Sequence, residues 1–559
     1  MKDILFKVLM LKGDAGEPTD EQTLAAVGEY MQAHPEAAID ETIINSAVDD
    51  WLDDHPEATT TVQDGSLTEA KFTNALKMKT IKDYVTPEMF GAVGDGLTDD
   101  SDAVQSAIDN GLIVYCEGTY LVKDIKINKT THIHGGSFIN NGSSNYMIEV
   151  DDENGDIDDV VLENMIIDGQ SSSNGIMLNY CMNAIIKNVE VKNIKASSDT
   201  IGIYINRSSD VLIDRCLIHD VSNDNSQPTR GILSNRSIRT LISNTIVHNI
   251  TSGNDGDGIQ IIFDGSADET EDGCIITNCK VYDCSKRYIK IQQRNCIIEN
   301  CKLLEADSTI QASDASIAVY DCNCIVRNNY INGNCVIQIM LGGTALEADV
   351  FENTLIQGNV IKSISTDSTF PLVSSVTSPN TPFRNLSIVE NNFIGLSKFS
   401  GVVFRNWSGE NVNISNNNFY NLNSGVWFRW DSGHDNQTID NIVISHNTFK
   451  DIQIVPIYVQ YTQYHINYLT IIGNSFNIIT GLGGIMNVIV IASASYDTDK
   501  ITIQNNIGNG YDGWLRIGYW STRPSGVPDG FVYFCRNLMM PLTYYAGNWY
   551  KPDGTVYSG

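Results

Sequence analysis

A recurring pattern of hydrophobic and polar positions dominates the chain: an aliphatic residue, two variable residues and then usually Asn. Successive copies begin 22 to 34 residues apart between residues 161 and 506. A period of this length is typical of a solenoid, and a β-sandwich or propeller would not explain the Asn register. The copies with Asn begin at Val161, Ile185, Leu241, Ile275, Ile297, Ile325, Ile388, Ile414, Ile444, Ile471 and Ile503, and two more copies have Arg215 and Gly358 at the Asn position.

Each copy is short, rich in β-branched residues and bounded by Gly, Asn and Ser, which favours a stacked β-coil over a helix pair. Alternate aliphatic side chains are then buried, and we expect the Asn amides of neighbouring coils to hydrogen-bond to one another. With the preferred crossover between parallel strands, the sequence predicts an all-β, right-handed single-stranded parallel β-helix.

A second predicted strand recurs in each coil, for example at residues 258–261, 288–291 and 425–428. Strand alternation places every second side chain outside. We therefore expect an outward column to form a continuous surface for an extended ligand; its members are Tyr204, Gln260, Lys290, Trp427 and Tyr458.

Composition divides the chain into four parts. We predict a helical head over residues 1–85, an entry and capping module over 86–130, the β-helix over 131–508 and a small β module over 509–559.

The head contains two copies of His-Pro-Glu-Ala, at residues 34–37 and 55–58, each directly after a predicted helix. The copies lie 21 residues apart, which is three heptads. These acidic helices have little apolar surface of their own, so we expect them to associate as a parallel homotrimer.

Charge excludes some classes of partner. The formal net charge is −32, with 68 acidic against 36 basic residues. A nucleic-acid-binding protein needs a basic face, so we expect no nucleic-acid partner. No apolar run approaches the length that spans a bilayer, so we expect no membrane insertion, and we identify no signal peptide.

The 12 Cys residues occupy recurring positions rather than metal-ligand spacings. Cys274, Cys296 and Cys324 each precede an Ile, Cys279 and Cys301 each follow an Asn, and there is no Cys-x-x-Cys pair. We expect buried, reduced structural thiols. The acidic segment 151–159 does not have EF-hand spacing and is interpreted as a solvated loop. The sequence thus predicts no metal site and no cofactor.

Residues 85–105 contain the run Gly91-Ala92-Val93-Gly94-Asp95-Gly96 followed by a Thr-Asp-Asp helix start. This segment closely resembles the entry motif of pectate-lyase-like bacteriophage tail spikes and polysaccharide depolymerases. Segments 521–524, 530–534 and 545–549 resemble a short C-terminal module of phage tail proteins.

The resemblance implies a homotrimer carried on a virion and attached to a phage tail or baseplate protein through the helical head. Its expected ligand is a bacterial surface polysaccharide. The protein would be assembled in the host cytoplasm and act outside the cell. Many members of the family cleave the glycan, although some only bind it.

The chemistry for cleavage is sought in paired carboxyl groups, because glycoside hydrolysis uses two of them. Asp255 and Asp257 enter one predicted strand and resemble the paired Asp site of polygalacturonase-like β-helices, whose Gly-His-Gly element this chain lacks. The next coil offers basic residues at a similar place. The candidate catalytic residues are Asp255, Asp257, Asp264, Arg287 and Lys290.

Three alternatives remain open at these residues. The segment 253–258 is also good turn chemistry in its own right. Arg287 or Lys290 would supply the base of a polysaccharide lyase instead of an endo-glycosidase. The chain would otherwise be a non-catalytic receptor-binding or structural spike.

Aromatic and Arg side chains on adjacent coils form a second candidate site. Aromatic faces stack on sugars, and Arg supplies planar hydrogen-bond donors. A trimer interface is the alternative for the same surface. Six coils, about 29 Å, separate this region from the acidic pair, which one glycan of about six sugars would span if the two are not separate sites. The candidate substrate-binding residues are Gln260, Arg405, Trp427, Arg429, Trp430 and Tyr458.

Overall fold

The computed structural model describes most of the chain from Tyr84 to Tyr557. The predicted helices of the head lie outside the described residues, as do Asp264 and Trp430. Among the described residues, no helix has the length and apolar character needed to cross a bilayer. Within residues 84–557 the segments left out are 143–144, 152–156, 225–226, 264–271, 306–312, 334, 343–349, 364–370, 376–381, 406–407, 430–437, 461–464, 478–488, 493–499, 509–514, 519–531 and 536–539.

The described residues form the predicted parallel β-helix. Strands of successive coils pair in parallel and build three columns that run along the molecule. The first column contains the repeated aliphatic segments: Val161–Glu163, Ile185–Lys187, Leu212–Asp214, Leu241–Ser243, Ile275–Thr277, Ile297–Glu299, Ile325–Arg327, Leu355–Gln357, Ser387–Val389, Gly409–Ser415, Thr438–Ser445, Leu469–Ile472 and Ile501–Gln504.

The second column follows directly in each coil, and the third contains the second predicted strand. The second column is Ile166–Asp168, Glu190–Ile194, Leu217–Asn223, Ile246–Ser252, Lys280–Cys284, Lys302–Leu304, Tyr330–Gly333, Val360–Ser363, Asn392–Ile394, Asn418–Tyr420, Thr448–Lys450, Ser475–Asn477 and Ile507–Gly508. The third is Ile125–Ile127, Tyr146–Asp151, Asn174–Asn179, Thr200–Asn206, Thr229–Asn235, Gly256–Ile262, Arg287–Gln292, Ala315–Val319, Ile337–Leu341, Pro371–Ser375, Ser400–Arg405, Ser424–Arg429, Val455–Gln460, Ile489–Ala492 and Leu515–Gly518.

An entry segment covers the first coil. It consists of the 3₁₀-helix Pro87–Phe90, the strand Asp95–Asp99, the helix Ser101–Asn110 and the strands Ile113–Val122 and His132–Asn140. Buried Asp100 accepts hydrogen bonds from the backbone N–H groups of Val93 and Gly94, at 2.7 and 3.0 Å, and so fixes the glycine-rich turn before the helix. The helix buries one apolar face, which closes the end of the core; that face consists of Val104, Ala107 and Ile108.

At the other end, the strand Val532–Cys535 continues the third column in parallel. Three antiparallel strands follow it: Met540–Tyr545, Asn548–Tyr550 and Val556–Tyr557.

The Asn pattern predicted from the sequence combines two different structural positions, and this is a correction. Ile325 pairs in register with Leu355, which pairs with Ser387, so Ile388 is displaced by one residue from the earlier copies. In the earlier copies the named aliphatic residue faces outward and its successor is buried, as for Ile185 and Ile186. The reason is that a period-2 pattern shifted by one residue reverses which side chains are inside.

The Asn residues of the early copies adopt left-handed backbone conformations at a turn, with φ between 51° and 58°. Asn tolerates this region better than most residues, which explains its recurrence there. They are Asn164, Asn188, Asn244, Asn278, Asn300 and Asn328.

The buried amide ladder lies one position further along and is confined to the later coils. Asn417 Nδ2 donates to Asn447 Oδ1 at 3.0 Å, while its own Oδ1 accepts from Asn391 Nδ2 at 3.0 Å. The expectation of amides bonded between coils is confirmed here. The full ladder consists of Asn329, Asn359, Asn391, Asn417, Asn447, Asn474 and Asn506.

In the coils directly before the ladder, this column contains Cys216, Thr245, Cys279 and Cys301 in place of Asn. The backbone N–H of Cys301 donates to Asn329 Oδ1 at 2.9 Å, which joins the Cys part of the column to the Asn part. The cysteines from Cys116 to Cys335 are all buried, as predicted, and none of them takes part in a disulfide.

Candidate functional site

Three neighbouring strands of the third column bring charged residues together. Arg230 pairs in register with Asp257, and Asp257 pairs with Arg287, so these residues are stacked from coil to coil. Gln260 is stacked on Lys290 in the same way, three residues further along both strands. Asp255 directly precedes the strand Gly256–Ile262. Together with Asp314 of the following coil, these residues form what we call the charged cluster: Arg230, Asp255, Asp257, Gln260, Arg287, Lys290 and Asp314.

Arg287 connects both carboxyl groups of the predicted pair. Its Nη1 lies 2.9 Å from Asp255 Oδ1 and 3.3 Å from Asp257 Oδ1. Its Nη2 lies 2.5 Å from Asp314 Oδ2. The two candidate carboxyl groups therefore approach each other through one shared guanidinium nitrogen.

Arg230 contacts the same pair from the preceding coil. Its Nη2 lies 2.8 Å from Asp255 Oδ2, and its Nε lies 3.6 Å from Asp257 Oδ2. Arg230 Nε also donates to the side-chain oxygen of Gln260. The sequence analysis missed Arg230 and Asp314, although parallel stacking of the strands that begin near 230, 257 and 287 could have identified Arg230.

Lys290 completes the charged cluster. Its Nζ lies 3.8 Å from Asp255 Oδ2 and 3.8 Å from Asp257 Oδ2. Three cations thus surround two carboxyl groups, and Asp314 supplies a third carboxylate. Predicted residues Asp255, Asp257, Arg287 and Lys290 are brought together, whereas Asp264 lies outside the described residues.

Burial differs within the pair. The side chain of Asp257 is fully buried, while that of Asp255 is 22% exposed. Gln260, predicted to face a ligand, is buried and donates to Gln292 Oε1 at 2.8 Å. The charged cluster therefore contacts solvent through Asp255 and Asp314 rather than through Asp257 or Gln260.

These surroundings displace the two carboxyl pKa values in opposite directions. Burial alone would raise the pKa of Asp255, but Arg230, Lys290 and Arg287 outweigh it and lower that pKa. Burial dominates at Asp257 and raises its pKa. Burial also lowers the pKa of the Lys290 ammonium. Such a separation between neighbouring carboxyl groups is the arrangement that general acid–base chemistry uses.

The predicted aromatic surface lies at the other end of the third column. Trp427 and Tyr458 are paired in register and their rings are stacked, with centroids 5.9 Å apart and an interplanar angle of 12°. The guanidinium of Arg429 lies 5.2 Å from the Trp427 ring centroid. Arg405 is exposed one coil earlier and pairs in register with Arg429.

The outward column between these two sites is covered, which corrects the expectation of one continuous surface. From Lys290 to Trp427 its register passes through four buried side chains. Ala318 and Met340 belong to a hydrophobic cluster separate from the main core. The charged cluster and the aromatic surface are therefore two separate regions; the intervening residues are Ala318, Met340, Ser374 and Val403.

Residues 88–307 match the family model described as rhamnogalacturonase A/epimerase, pectate lyase-like. The match includes the charged strands that end at Asn235, Ile262 and Gln292. It confirms, for this part of the chain, the pectate-lyase-like resemblance seen in the sequence. No curated protein sequence matches the chain.

Several solved structures have a similar shape. The surface adhesin PfbA of Streptococcus pneumoniae is 17% identical, with 63% of this chain and 96% of that one covered and a TM-score of 0.47. Tailspike protein 3 of bacteriophage CBA120 is 13% identical, with 93% and 77% covered and a TM-score of 0.42. The A-module of an Azotobacter vinelandii mannuronan C-5 epimerase is 14% identical, with 68% and 99% covered and a TM-score of 0.39.

Proposed function

We propose that the chain binds a bacterial surface polysaccharide and hydrolyses it internally at the charged cluster. The observation that carries this proposal is the opposite displacement of the pKa values of Asp255 and Asp257 inside one group of cations. The pectate-lyase-like match over residues 88–307 supports polysaccharide binding or processing as the general role.

The fold itself does not require charge at these positions. In the stack that contains Asp257, the coil before Arg230 has Ile201, and the coil after Arg287 has Ala315. Apolar residues therefore fill the same place in the two flanking coils. A buried ionic group gains little over apolar packing because its desolvation is costly. Such a group in an otherwise uncharged stack favours a functional role over a structural one.

Within this proposal, Asp257 is the general acid, because its raised pKa favours a carboxyl that still holds a proton. Asp255 stays ionised and acts as the base or nucleophile. Because Asp257 is fully buried, binding of the glycan must open the charged cluster on the side of Asp255, the member of the pair that reaches solvent.

A second candidate reaction is lyase cleavage of an acidic polysaccharide. It is favoured by the lowered pKa of Lys290, which makes a neutral amine base easier to form. Arg287 would then neutralise the uronate carboxylate of the substrate. The two reactions differ in product, because a lyase leaves an unsaturated sugar and a hydrolase does not.

The aromatic surface of Trp427 and Tyr458 is proposed as a separate glycan-binding region. Its stacked rings and the adjacent Arg429 offer the contacts that sugar faces and hydroxyl groups use. The alternative, that this surface packs against another subunit, remains a competing proposal.

We further propose that the protein is a homotrimeric phage tail spike, attached to the tail through residues 1–85. The entry motif at residues 85–105 and the heptad spacing in the head support this setting. The enzyme proposal is tested by incubating the full chain with purified surface polysaccharides from candidate hosts. Hydrolysis predicts new reducing ends without ultraviolet absorbance from a double bond, lyase cleavage predicts both, and a purely structural spike predicts neither.

A further inference from the structure

Two His residues and one Glu converge on the outer surface near the start of the solenoid. His132 and His134 alternate with buried Ile133 along the strand His132–Asn140, so both imidazoles point outward. In the next coil, Glu163 pairs in register with His134, and Val161 pairs with His132. We call these three residues the His-Glu cluster; it lies at the start of the first column, apart from the charged cluster and the aromatic surface.

The three side chains present their ligand atoms to one point. Glu163 Oε1 lies 2.8 Å from His132 Nε2 and 3.1 Å from His134 Nδ1. The potential ligand atoms all lie within 4.8 Å of one another, and no other such group occurs among the described residues. Donors around a tetrahedral Zn²⁺ lie about 3.4 Å apart, so small side-chain adjustments would place all three around one ion.

His134 Nδ1 lies near two side chains of the next coil. His134 Nδ1 needs a proton to donate to Glu163, yet it also lies 3.3 Å from Asn164 Nδ2, which is itself a donor. Asn188 Nδ2 in turn donates to Asn164 Oδ1 at 2.7 Å, so Asn164 joins His134 to the following coil. A cation bound by Nδ1 and the carboxylate would take the place of the proton between His134 and Glu163, because both atoms would then offer it lone pairs.

We propose that His132, His134 and Glu163 bind a divalent transition-metal ion such as Zn²⁺. Two imidazoles and one carboxylate suit ions of this class, whereas Ca²⁺ and Mg²⁺ prefer sets of oxygen ligands. The side chains are 34%, 37% and 22% exposed, so water can complete the coordination. The sequence analysis predicted no metal site, and this proposal departs from that expectation.

Such an ion would join two coils at the end of the solenoid where stacking begins. It would connect the strands His132–Asn140 and Val161–Glu163, which are already paired in parallel. The ring of Tyr115, one coil earlier, packs against His134 with centroids 5.0 Å apart and would hold its orientation. We therefore assign the ion a stabilising role, since an ion that binds the folded state alone raises its stability.

The test uses the full chain, stripped of metal with a chelator and then titrated with Zn²⁺ in a calorimeter. We expect one tightly bound ion per chain and a higher thermal unfolding temperature after its addition. His134→Ala and Glu163→Gln should each weaken binding by at least about 100-fold, since even the loss of a residue that only orients a ligand costs about 10–100-fold. Co²⁺ bound in place of Zn²⁺ should give visible absorption bands that both variants lose.

His219→Ala is the matched control. His219 also contacts carboxylates, Glu190 at 3.1 Å and Asp220 at 2.7 Å. The imidazole of the neighbouring His248 stacks on that of His219, and the two do not form a three-residue metal-ligand group with a carboxylate of the described part of the chain. This variant should bind Zn²⁺ as the unaltered chain does. If Glu163→Gln impairs folding of the metal-free chain, His132→Gln addresses the same question.

Absence of Zn²⁺ uptake by the unaltered chain would overturn the proposal. Uptake that persists at full affinity in His134→Ala and in the folded Gln variant would also overturn it, because the ion would then be adventitious and bound elsewhere. Loss of binding in His219→Ala alone would assign the site to the other His pair and equally contradict it.

Discussion

Asp255 and Asp257 lie two residues apart at the start of one strand, yet their carboxyl pKa values are displaced in opposite directions. Both contact the same Nη1 atom of Arg287. The difference arises from burial, because Asp257 is enclosed and Asp255 reaches solvent. This relationship gives two similar side chains different chemical roles.

The first prediction concerns stability against pH. The folded state favours ionised Asp255, so its contribution is present above about pH 3.9 and is lost as pH falls through its lowered pKa. The folded state favours neutral Asp257, so its contribution is present below about pH 3.9 and is lost as pH rises through its raised pKa.

Urea unfolding at several pH values, with Asp255→Asn and Asp257→Asn, measures both effects. As pH rises towards about 3.9, stability of the unaltered chain should increase relative to Asp255→Asn. As pH rises further above about 3.9, its stability should decrease relative to Asp257→Asn. At neutral pH, Asp255→Asn should be the more costly change, by about 1–3 kcal/mol, because it removes the exposed partner of Arg230 and Arg287. Differences of the same sign for both variants would contradict the pKa assignment.

The second prediction concerns the aromatic surface. Trp427→Ala should weaken glycan binding by about 1–3 kcal/mol, the range measured for stacking of aromatic side chains on nucleic-acid bases. The loss is measured as the change in the equilibrium dissociation constant for the polysaccharide, under conditions in which the polysaccharide stays intact. Tyr420→Ala is the matched control, because Tyr420 is also exposed with a cation, Lys450, 5.3 Å from its ring centroid, but lies in the second column.

Equal losses in the two variants would show that Trp427 has no special part in binding. If Trp427→Ala instead dissociates the trimer while the separated chains bind the glycan with unchanged affinity, this surface is the subunit interface.

The third prediction concerns the Asn ladder. Asn417→Ala removes a buried amide whose Oδ1 accepts from the backbone N–H of Asn391 at 2.9 Å and whose Nδ2 donates to Asn447 Oδ1 at 3.0 Å. We expect a loss of about 1–3 kcal/mol in the free energy of unfolding, because the buried N–H of Asn391 loses this acceptor. Asn418→Ala is the control, because Asn418 is exposed and donates only to Asn392, at 2.8 Å, so the free energy of unfolding should change by less than about 0.5 kcal/mol. Equal effects in thermal or urea unfolding would refute the ladder's role.

The fourth prediction concerns assembly. A homotrimer of the 61.7 kDa chain has a mass of about 185 kDa. Analytical ultracentrifugation of the full chain should give this mass and hold it on dilution. A mass near that of a single chain at every concentration would contradict the trimer, and with it the proposed role of the head.

The sequence predicts the parallel β-helix well because the period of the hydrophobic pattern depends directly on the stacking of coils. It does not predict the register, because Asn328 in a left-handed turn and Asn391 in the buried ladder follow the same aliphatic-x-x-Asn pattern. Only the strand pairing distinguishes the two positions. Ile325 is in register with Leu355, and Leu355 is in register with Ser387 rather than with Ile388.

The charged cluster was predicted in part for a similar reason. Asp257 and Arg287 are recognisable from local motifs, whereas Arg230 joins them only through the register of its strand. Burial was not predictable from alternation alone, since Gln260 points away from the core and is nevertheless covered. Alternation specifies the direction of a side chain, but packing of the surrounding chain decides whether solvent reaches it.

The central claim is that Asp255 and Asp257 hydrolyse a surface polysaccharide, and release of reducing ends by Asp257→Asn tests it most directly. Using a polysaccharide that the unaltered chain degrades, we predict that cleavage falls by at least about 100-fold while glycan binding is retained. Asp210→Asn, which alters a carboxylate paired with Arg239 at 2.6 Å on the surface, should cleave normally. Undiminished cleavage by a folded Asp257→Asn protein would contradict the catalytic assignment and leave the charged cluster with a structural role.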